Sequence, residues 1–409
     1  MDFDDELIAR TMAAIDGVRA LAQEDKPPEP LIDSPKCPRC SLIGICLPDE
    51  IGFLTEKRRD IRPIYAQATD ARPLYVQSPA CYLRKEGERL IIEEDRETIA
   101  DVRLLDTSQV ALFGHCGISS PALHECFRRE IPVTFMSYGG WFVGHAVGVG
   151  HRNAQTRAAQ YKASFDEAAC LRLARGFIAA KIQNCRTLLR RNWKDGEIPA
   201  SLLADLQSDK RHVARAASLA QLLGVEGSAA RRYFSVFAAM LAPDKRVVGA
   251  VAAGFDFTGR NRRPPKDPVN AMLSFAYAML TREWTVTLSA VGLDPYRGFY
   301  HQMRFARPAL ALDMMEAFRP LVADSAVLTA INNGEVKVED FLVTATGCAL
   351  KAPGRKRFIA VFERRLEQEI THPIFQYRLS YRRLFEVQAR LLIRALTGEI
   401  SEYPDFVTR

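Results

Sequence analysis

No stretch of this sequence approaches the roughly 18 consecutive apolar residues that a membrane-spanning helix needs. The longest apolar run, near Val247–Phe255, is short and contains glycine. The N-terminus, Met1-Asp-Phe-Asp-Asp-Glu6, is acidic, which excludes a secretory signal. A cytoplasmic protein without a membrane partner is therefore expected. No Gly-x-x-x-x-Gly-Lys-Ser/Thr loop is present to cradle a nucleoside triphosphate. Internal repeats and low-complexity tracts are missing too, which excludes a solenoid and a compositionally disordered chain. Cysteine is sparse, with nine in 409 residues. Six of these, Cys81, Cys116, Cys126, Cys170, Cys185 and Cys348, are scattered and read as buried small apolar side chains rather than a disulfide framework.

What is present is an ordinary globular composition, 48% hydrophobic and 26% charged, long enough for two or three domains. The net charge of +7 is unevenly spread. Residues 1–60 carry −5, residues 61–150 carry −2, and residues 151–409 carry +14. A solvated helical surface would account for such a bias. So would a polyanion partner, because neutralisation of phosphates by Arg and Lys supplies most non-specific DNA affinity.

Along the chain, Ile8, Met12, Ile15 and Val18 stand at helical spacing, and the Pro-rich Lys26-Pro-Pro-Glu-Pro30 ends that helix. Short strands are expected over 73–77, 81–83, 89–93, 102–105, 110–113, 133–136 and 141–147, with turns at Lys85–Glu88 and Tyr138–Gly140. One helix fits Pro121–Glu130, opened by Ser119 or Ser120. Long amphipathic helices follow over 155–190, 202–223, 229–241, 269–280 and 358–396, with Asp267-Pro268 as a cap and first helical position. The expected fold is α+β. A helical and cysteine-bearing segment (1–60) and a linker (61–71) precede a small β-rich domain (72–152). A larger all-α catalytic domain (153–409) follows.

Three segments of the helical part bring an acid or a histidine. In Glu226-Gly-Ser-Ala-Ala-Arg-Arg-Tyr-Phe234, Glu226 is expected at a helix start, with Tyr233 two turns on along the same face. In Gly292-Leu-Asp-Pro-Tyr-Arg-Gly-Phe-Tyr-His301, the turn-forming residues put His301 at a loop–helix junction. Between Pro308, a helix start, and Pro320, a helix stop, Asp313 and Glu316 share one helical face. Carboxylates with one imidazole suit Mg²⁺ or Mn²⁺, and such an ion can polarise a phosphodiester. Arg231, Arg232, Arg297 and Arg307 stand nearby in sequence to hold a DNA strand. The residues alone also admit plainer readings: a carboxylate at a helix N-terminus, a packed histidine, a solvated acidic face.

Taken together, these segments resemble the motifs of the universal CRISPR adaptation integrase. Asp267-Pro-Val-Asn-Ala-Met-Leu-Ser274 and Thr371-His-Pro373 are similar as well, and the resemblance spans about residues 72–409 in order and spacing. It implies metal ligation by Glu226, His301 and Glu316, with Asp313 as the alternative third acid. It implies transesterification, in which the 3′-hydroxyl of a short DNA fragment attacks a phosphodiester at the edge of a CRISPR repeat. It further implies a homodimer bridged by a small ferredoxin-like partner protein.

Cys37-x₂-Cys40-x₅-Cys46 has a metal-type spacing, and zinc is one reading. The surrounding Cys-Pro-x-Cys-Ser-Leu and Cys-Leu-Pro-Asp-Glu resemble the C-terminal cysteine motif of the RecB-like exonuclease of CRISPR systems. There, three such thiols and a fourth far upstream hold a [4Fe–4S] cluster. No cysteine precedes Cys37 here, so residues 1–60 are read as a remnant of that exonuclease fused to an integrase, with weak or no cluster binding. Two other functions stay in view: a fused end-processing exonuclease plus integrase, and a basic DNA-binding scaffold without catalysis.

Overall fold

The computed structural model of the protein describes residues 4–24, 28–62, 71–78, 80–148, 154–241, 254–261, 264–305 and 307–408. Most of the apolar run near Val247–Phe255, the Lys26-Pro27 dipeptide, Ala306 and residues 63–70 of the expected linker lie outside these. Two compact units emerge, one within the first 66 residues together with 399–401, the other formed by the rest.

In the first unit, α1 (Asp5–Leu21) is capped by Asp4, whose Oδ1 accepts from the Leu7 N–H at 2.8 Å. Its apolar stripe of Ile8, Met12, Ile15 and Val18 is exposed. The short helices α2 (Ile43–Cys46) and α3 (Pro48–Leu54) follow, joined at Leu47 in the left-handed region (φ 50°). Asp49 anchors the unit. Its Oδ2 accepts from the backbone N–H and Nε of Arg62 at 2.9 and 2.7 Å, and its Oδ1 from NH2 at 2.7 Å. Arg62 thus belongs to this packed unit, although its sequence neighbourhood reads as linker.

Among the described residues the second unit opens with eight strands. β1 (Arg72–Val76), β5 (Thr107–Phe113), β7 (Val133–Met136) and β8 (Phe142–Ala146) form one sheet, parallel except for the β7–β8 hairpin. β2 (Tyr82–Glu86), β3 (Arg89–Glu94), β4 (Glu97–Arg103) and β6 (Gly117–Ile118) form a second, ordered β4-β3-β2-β6. A shared core of Val76, Leu83, Leu90, Ile92, Val110, Leu112 and Val133 includes Cys126 of α4 (Ser120–Arg128). β5 is buried nearly throughout, as expected of a central parallel strand. β4 is exposed over almost its whole length, so it lacks the alternation that marks a half-buried strand, and only its end is legible in the sequence.

The helical part comprises α5 (Ala154–Ser164), α6 (Glu167–Asn192), α7 (Ala200–Arg215), α8 (Leu219–Ser235), α9 (Pro268–Val291), α10 (Ala309–Met314) and α11 (Ser325–Asn332). α12 (Ala352–Glu367) and α13 (Tyr381–Leu396) complete it. It is not purely α. β9 (Phe341–Val343) with β10 (Cys348–Leu350), and β11 (Glu369–Thr371) with β12 (Arg378–Ser380), form two antiparallel ribbons. Three helices expected as continuous are broken. Asp166 caps α6, accepting from the Ala168 and Ala169 N–H groups at 2.8 and 3.2 Å, and Ser218 caps α8. The β11–β12 ribbon interrupts the run from 358 to 396. Asp267 and Pro268 open α9 as their types predict. Among the described residues no helix is long and apolar enough to cross a membrane.

Candidate active site

Glu226 lies in the middle of α8, not at its start. Gly224 and Gly227 suggest a break there, but both are helical. Tyr233 follows on the same face, as its two-turn spacing requires. His301 sits in the loop between α9 and α10, at the end of a turn that closes on Asp313. Asp313 Oδ2 accepts from the N–H groups of Phe299 and Tyr300 at 2.6 and 2.9 Å. Its Oδ1 accepts from the His301 N–H at 2.8 Å and pairs with Nδ1 at 2.7 Å. A Cβ on Gly298 would stand 2.7 Å from Asp313 Oδ2, so this approach requires glycine.

Asp313 is therefore fully engaged within the protein. An Nδ1–H donated to Asp313 would leave the Nε2 lone pair of a neutral His301 free, the role usual for the carboxylate partner of a ligating histidine. Nε2 lies 3.8 Å from Glu316 Oε1. Glu316 lies just beyond the end of α10, and like Asp313 it stands beside the His301 ring. After α10 the chain tightens into a 3-10 turn, Glu316–Phe318, and then a π-helical stretch, Arg319–Asp324. Glu316, at the start of the 3-10 turn, meets Lys181 of α6. Pro320 does not stop the helix; it occupies the first turn of the π stretch, where its missing N–H is not needed.

Between the two glutamates stands Lys181 of α6. Its Nζ is 2.8 Å from Glu316 Oε2 and hydrogen-bonds Glu226 Oε1. Arg319 NH1 is 3.5 Å from Glu316 Oε1. Burial works against an ionised Glu316, but Arg319, then Lys181 and His301, hold its carboxyl down at about 2. Beside Glu226 lies a cavity of about 30 Å³ whose walls include Lys181, Glu226, Tyr233, Tyr277, Arg319 and Asp324. Asp324 accepts from the Tyr277 and Tyr233 hydroxyls at 2.6 and 2.8 Å, while burial pushes it up to about 6.

The structure thus brings Glu226, His301 and Glu316 together and gives Asp313 a supporting place. Sequence reasoning missed Lys181, Tyr277, Arg319 and Asp324; only Arg319 lies inside one of the three motif segments. Among the described residues no three His, Cys, Asp or Glu side chains stand at metal-holding spacing, and both glutamates pair instead with the Lys181 ammonium. The donor set still suits a hard cation: two anionic carboxylates facing one positive charge, with an imidazole nitrogen beside them.

The four arginines fare unequally. Arg231 is exposed, and Arg232 is half-buried with Nε 3.7 Å from carboxylates of Asp205 and Asp209. Arg307 is half-buried beside the site, and burial lowers its pKa. Arg297 is not available to DNA. It is 7% exposed, donates to Ser164 Oγ and O at 2.6 and 2.8 Å, and covers the Phe165 ring. In the first unit, Cys37 is buried, Cys40 exposed and Cys46 half-buried.

The family model for CRISPR associated protein Cas1 matches residues 74–364. A CRISPR-associated exonuclease Cas4/endonuclease Cas1 fusion of Geobacter sulfurreducens is 64% identical over 411 residues, covering 100% of this chain and 73% of the relative. A CRISPR-associated endonuclease Cas1 of Thermus thermophilus is 35% identical over 340 residues, covering 82% of this chain and 97% of the relative. Among solved structures, a casposase bound to integration product superimposes with a TM-score of 0.70 at 23% identity. That match covers 82% of this chain and 94% of the other, and shows the shared fold. With a family model over residues 74–364 and relatives at 64% and 35% identity, the chain belongs to the CRISPR associated Cas1 family.

Proposed function

We propose that this protein is a metal-dependent DNA integrase that inserts short DNA fragments into a CRISPR array. The observation that carries this reading is that the Lys181 ammonium joins Glu226 to Glu316, with His301 Nε2 3.8 Å from Glu316. Glu226, His301 and Glu316 would hold Mg²⁺ or Mn²⁺, which supplies Lewis-acid polarisation of a phosphodiester and activation of an oxygen nucleophile. Asp313 keeps His301 in the required tautomer and orientation. Arg319 offsets the buried charge of Glu316. Arg231, Arg232 and Arg307 hold the DNA backbone, and their charge needs no sequence-specific contact.

The reaction is an exchange of esters. The 3′-oxygen of the incoming fragment forms a bond to phosphorus as the bond from phosphorus to the repeat strand's 3′-oxygen breaks. The hydroxyl proton leaves the attacking oxygen, and a proton restores a 3′-hydroxyl on the repeat strand. No nucleotide triphosphate is consumed. The protein's share is positioning and charge compensation. A second copy of the chain and a small ferredoxin-like protein complete the assembly. Residues 1–60 form the cysteine-bearing end of a Cas4-type exonuclease, and Cys37, Cys40 and Cys46 would offer three thiolates to a labile iron–sulfur or zinc group.

An integration assay with supercoiled plasmid, fragment DNA and Mn²⁺ tests this. Glu226→Gln, His301→Ala and Glu316→Gln should each reduce strand transfer by on the order of 100-fold or more, with circular dichroism unchanged. Wild-type rates in any one of them at limiting metal would remove that residue from the site.

A further inference from the structure

Lys181 has no task in the reaction above, yet it is the group around which the site is built. Its side chain is 10% exposed, and its ammonium reaches both glutamates at once. An ammonium withdrawn from water is costly unless paired, and two carboxylates brought together repel unless a cation lies between them. Each problem here solves the other. Arg319 does not bridge the pair in the same way: it is 3.5 Å from Glu316 and acts on Glu226 only at longer range.

A divalent ion would need the same oxygens at about 2.0–2.2 Å. Two cations sharing those oxygens at such range repel strongly in a poorly solvated site. One must leave. The cavity next to the Lys181 side chain, about 30 Å³, has room for a group the size of water or an ammonium, and Asp324 lies on its wall as an acceptor.

We infer that Lys181 is a positioning residue that acts as a resident counter-cation: it holds Glu226 and Glu316 converged in the metal-free protein and yields its place when the metal enters. This rests on the metal-site reading of Glu226, His301 and Glu316. The consequence is a preformed site with a reduced affinity for free metal, since binding must break the Lys181 ion pairs.

The test is Mn²⁺ titration of the full chain without DNA, read by electron paramagnetic resonance of free Mn²⁺, together with thermal unfolding in the absence and presence of Mn²⁺. Lys181→Met should bind Mn²⁺ at least tenfold more tightly than wild type, about 1.4 kcal/mol. Its metal-free melting temperature should fall, and Mn²⁺ should raise it by more than in wild type. Lys181→Arg should restore the metal-free melting temperature and the weaker affinity. Lys181→Gln, a smaller polar change, repeats the measurement if the methionine variant does not fold. Glu316→Gln should abolish the tight binding in the Lys181→Met background. Mn²⁺ binding that needs Glu316 but is not tightened by loss of Lys181 overturns the inference, because a merely structural lysine would move only the melting temperature. Mn²⁺ binding indifferent to Glu316→Gln in both backgrounds overturns the metal-site reading, and this inference with it.

Discussion

At the scale of single residues, Asp313 and Glu316 divide two tasks that their spacing assigns to one surface. Asp313 spends both oxygens on the 299–301 turn and on His301 Nδ1, whereas Glu316 faces Lys181. Asp324, deeper in the same cluster, carries a pH dependence of its own. Burial raises it from 3.8 to about 6, although the Tyr277 and Tyr233 hydroxyls, Arg319 and Arg260 pull it down. The folded protein therefore holds this proton more firmly than the unfolded chain, and stability falls as pH rises from about 4 to about 6. Asn cannot ionise. Relative to wild type, Asp324→Asn should gain stability across that window, by up to about 3 kcal/mol. Urea unfolding at a series of pH values from about 4 to 7 measures the difference, and a difference that does not vary with pH refutes the assignment.

Elements follow local rules wherever those rules are unopposed. Ser119 and Pro121 at α4, Asp267 and Pro268 at α9, and the β7–β8 hairpin stand where capping and turn chemistry put them. Boundaries escape notice where one amphipathic pattern runs across a break, as at Asp166 and Ser218, since a cap inside a periodic run reads as one more polar position. The reverse error occurs at α8, where two glycines suggest an end that packing overrides. Gly224 is helical, with nothing within 4 Å of the position a Cβ would take, so it weakens α8 without any steric need. Gly224→Ala should stabilise the protein by roughly 0.5–1 kcal/mol. A lowered melting temperature would mean that α8 does not need to be straight and helical at this point. A buried ionic cluster ties other elements together. Tyr75 of β1 donates to Glu363 of α12 at 2.5 Å, and Arg382 of α13 reaches Glu283 of α9 and Glu363 at 2.7 and 2.5 Å. Nothing local announces it, because its members come from distant strands and helices.

For the whole molecule, charge is the property that bears most directly on DNA. The net +14 of residues 151–409 against −7 for residues 1–150 places the electrostatic affinity in the helical part. Duplex binding should weaken steeply with salt, with a logarithmic slope of about −0.9 per phosphate neutralised. A chain lacking residues 1–71 should bind about as well as the full one in a salt-titrated mobility shift. Affinity that disappears with the N-terminal residues would place the DNA contacts elsewhere.

What the sequence determined by itself was whatever depends on neighbours along the chain: the β-rich then helical order, the caps, the burial of six scattered thiols, the segregation of charge, and three motif segments pointing to Glu226, His301 and Glu316. Tertiary structure decided what depends on groups meeting across the fold. It made Asp313 the support of His301, sent Arg297 inward onto Ser164 and Phe165, and inserted Lys181 between two glutamates. The physical reason is that a charge buried at a convergence point is defined by its partners. Lys181, Glu226 and Glu316 lie on α6, α8 and the turn after α10, and no periodicity within any one of them encodes the packing that makes them neighbours.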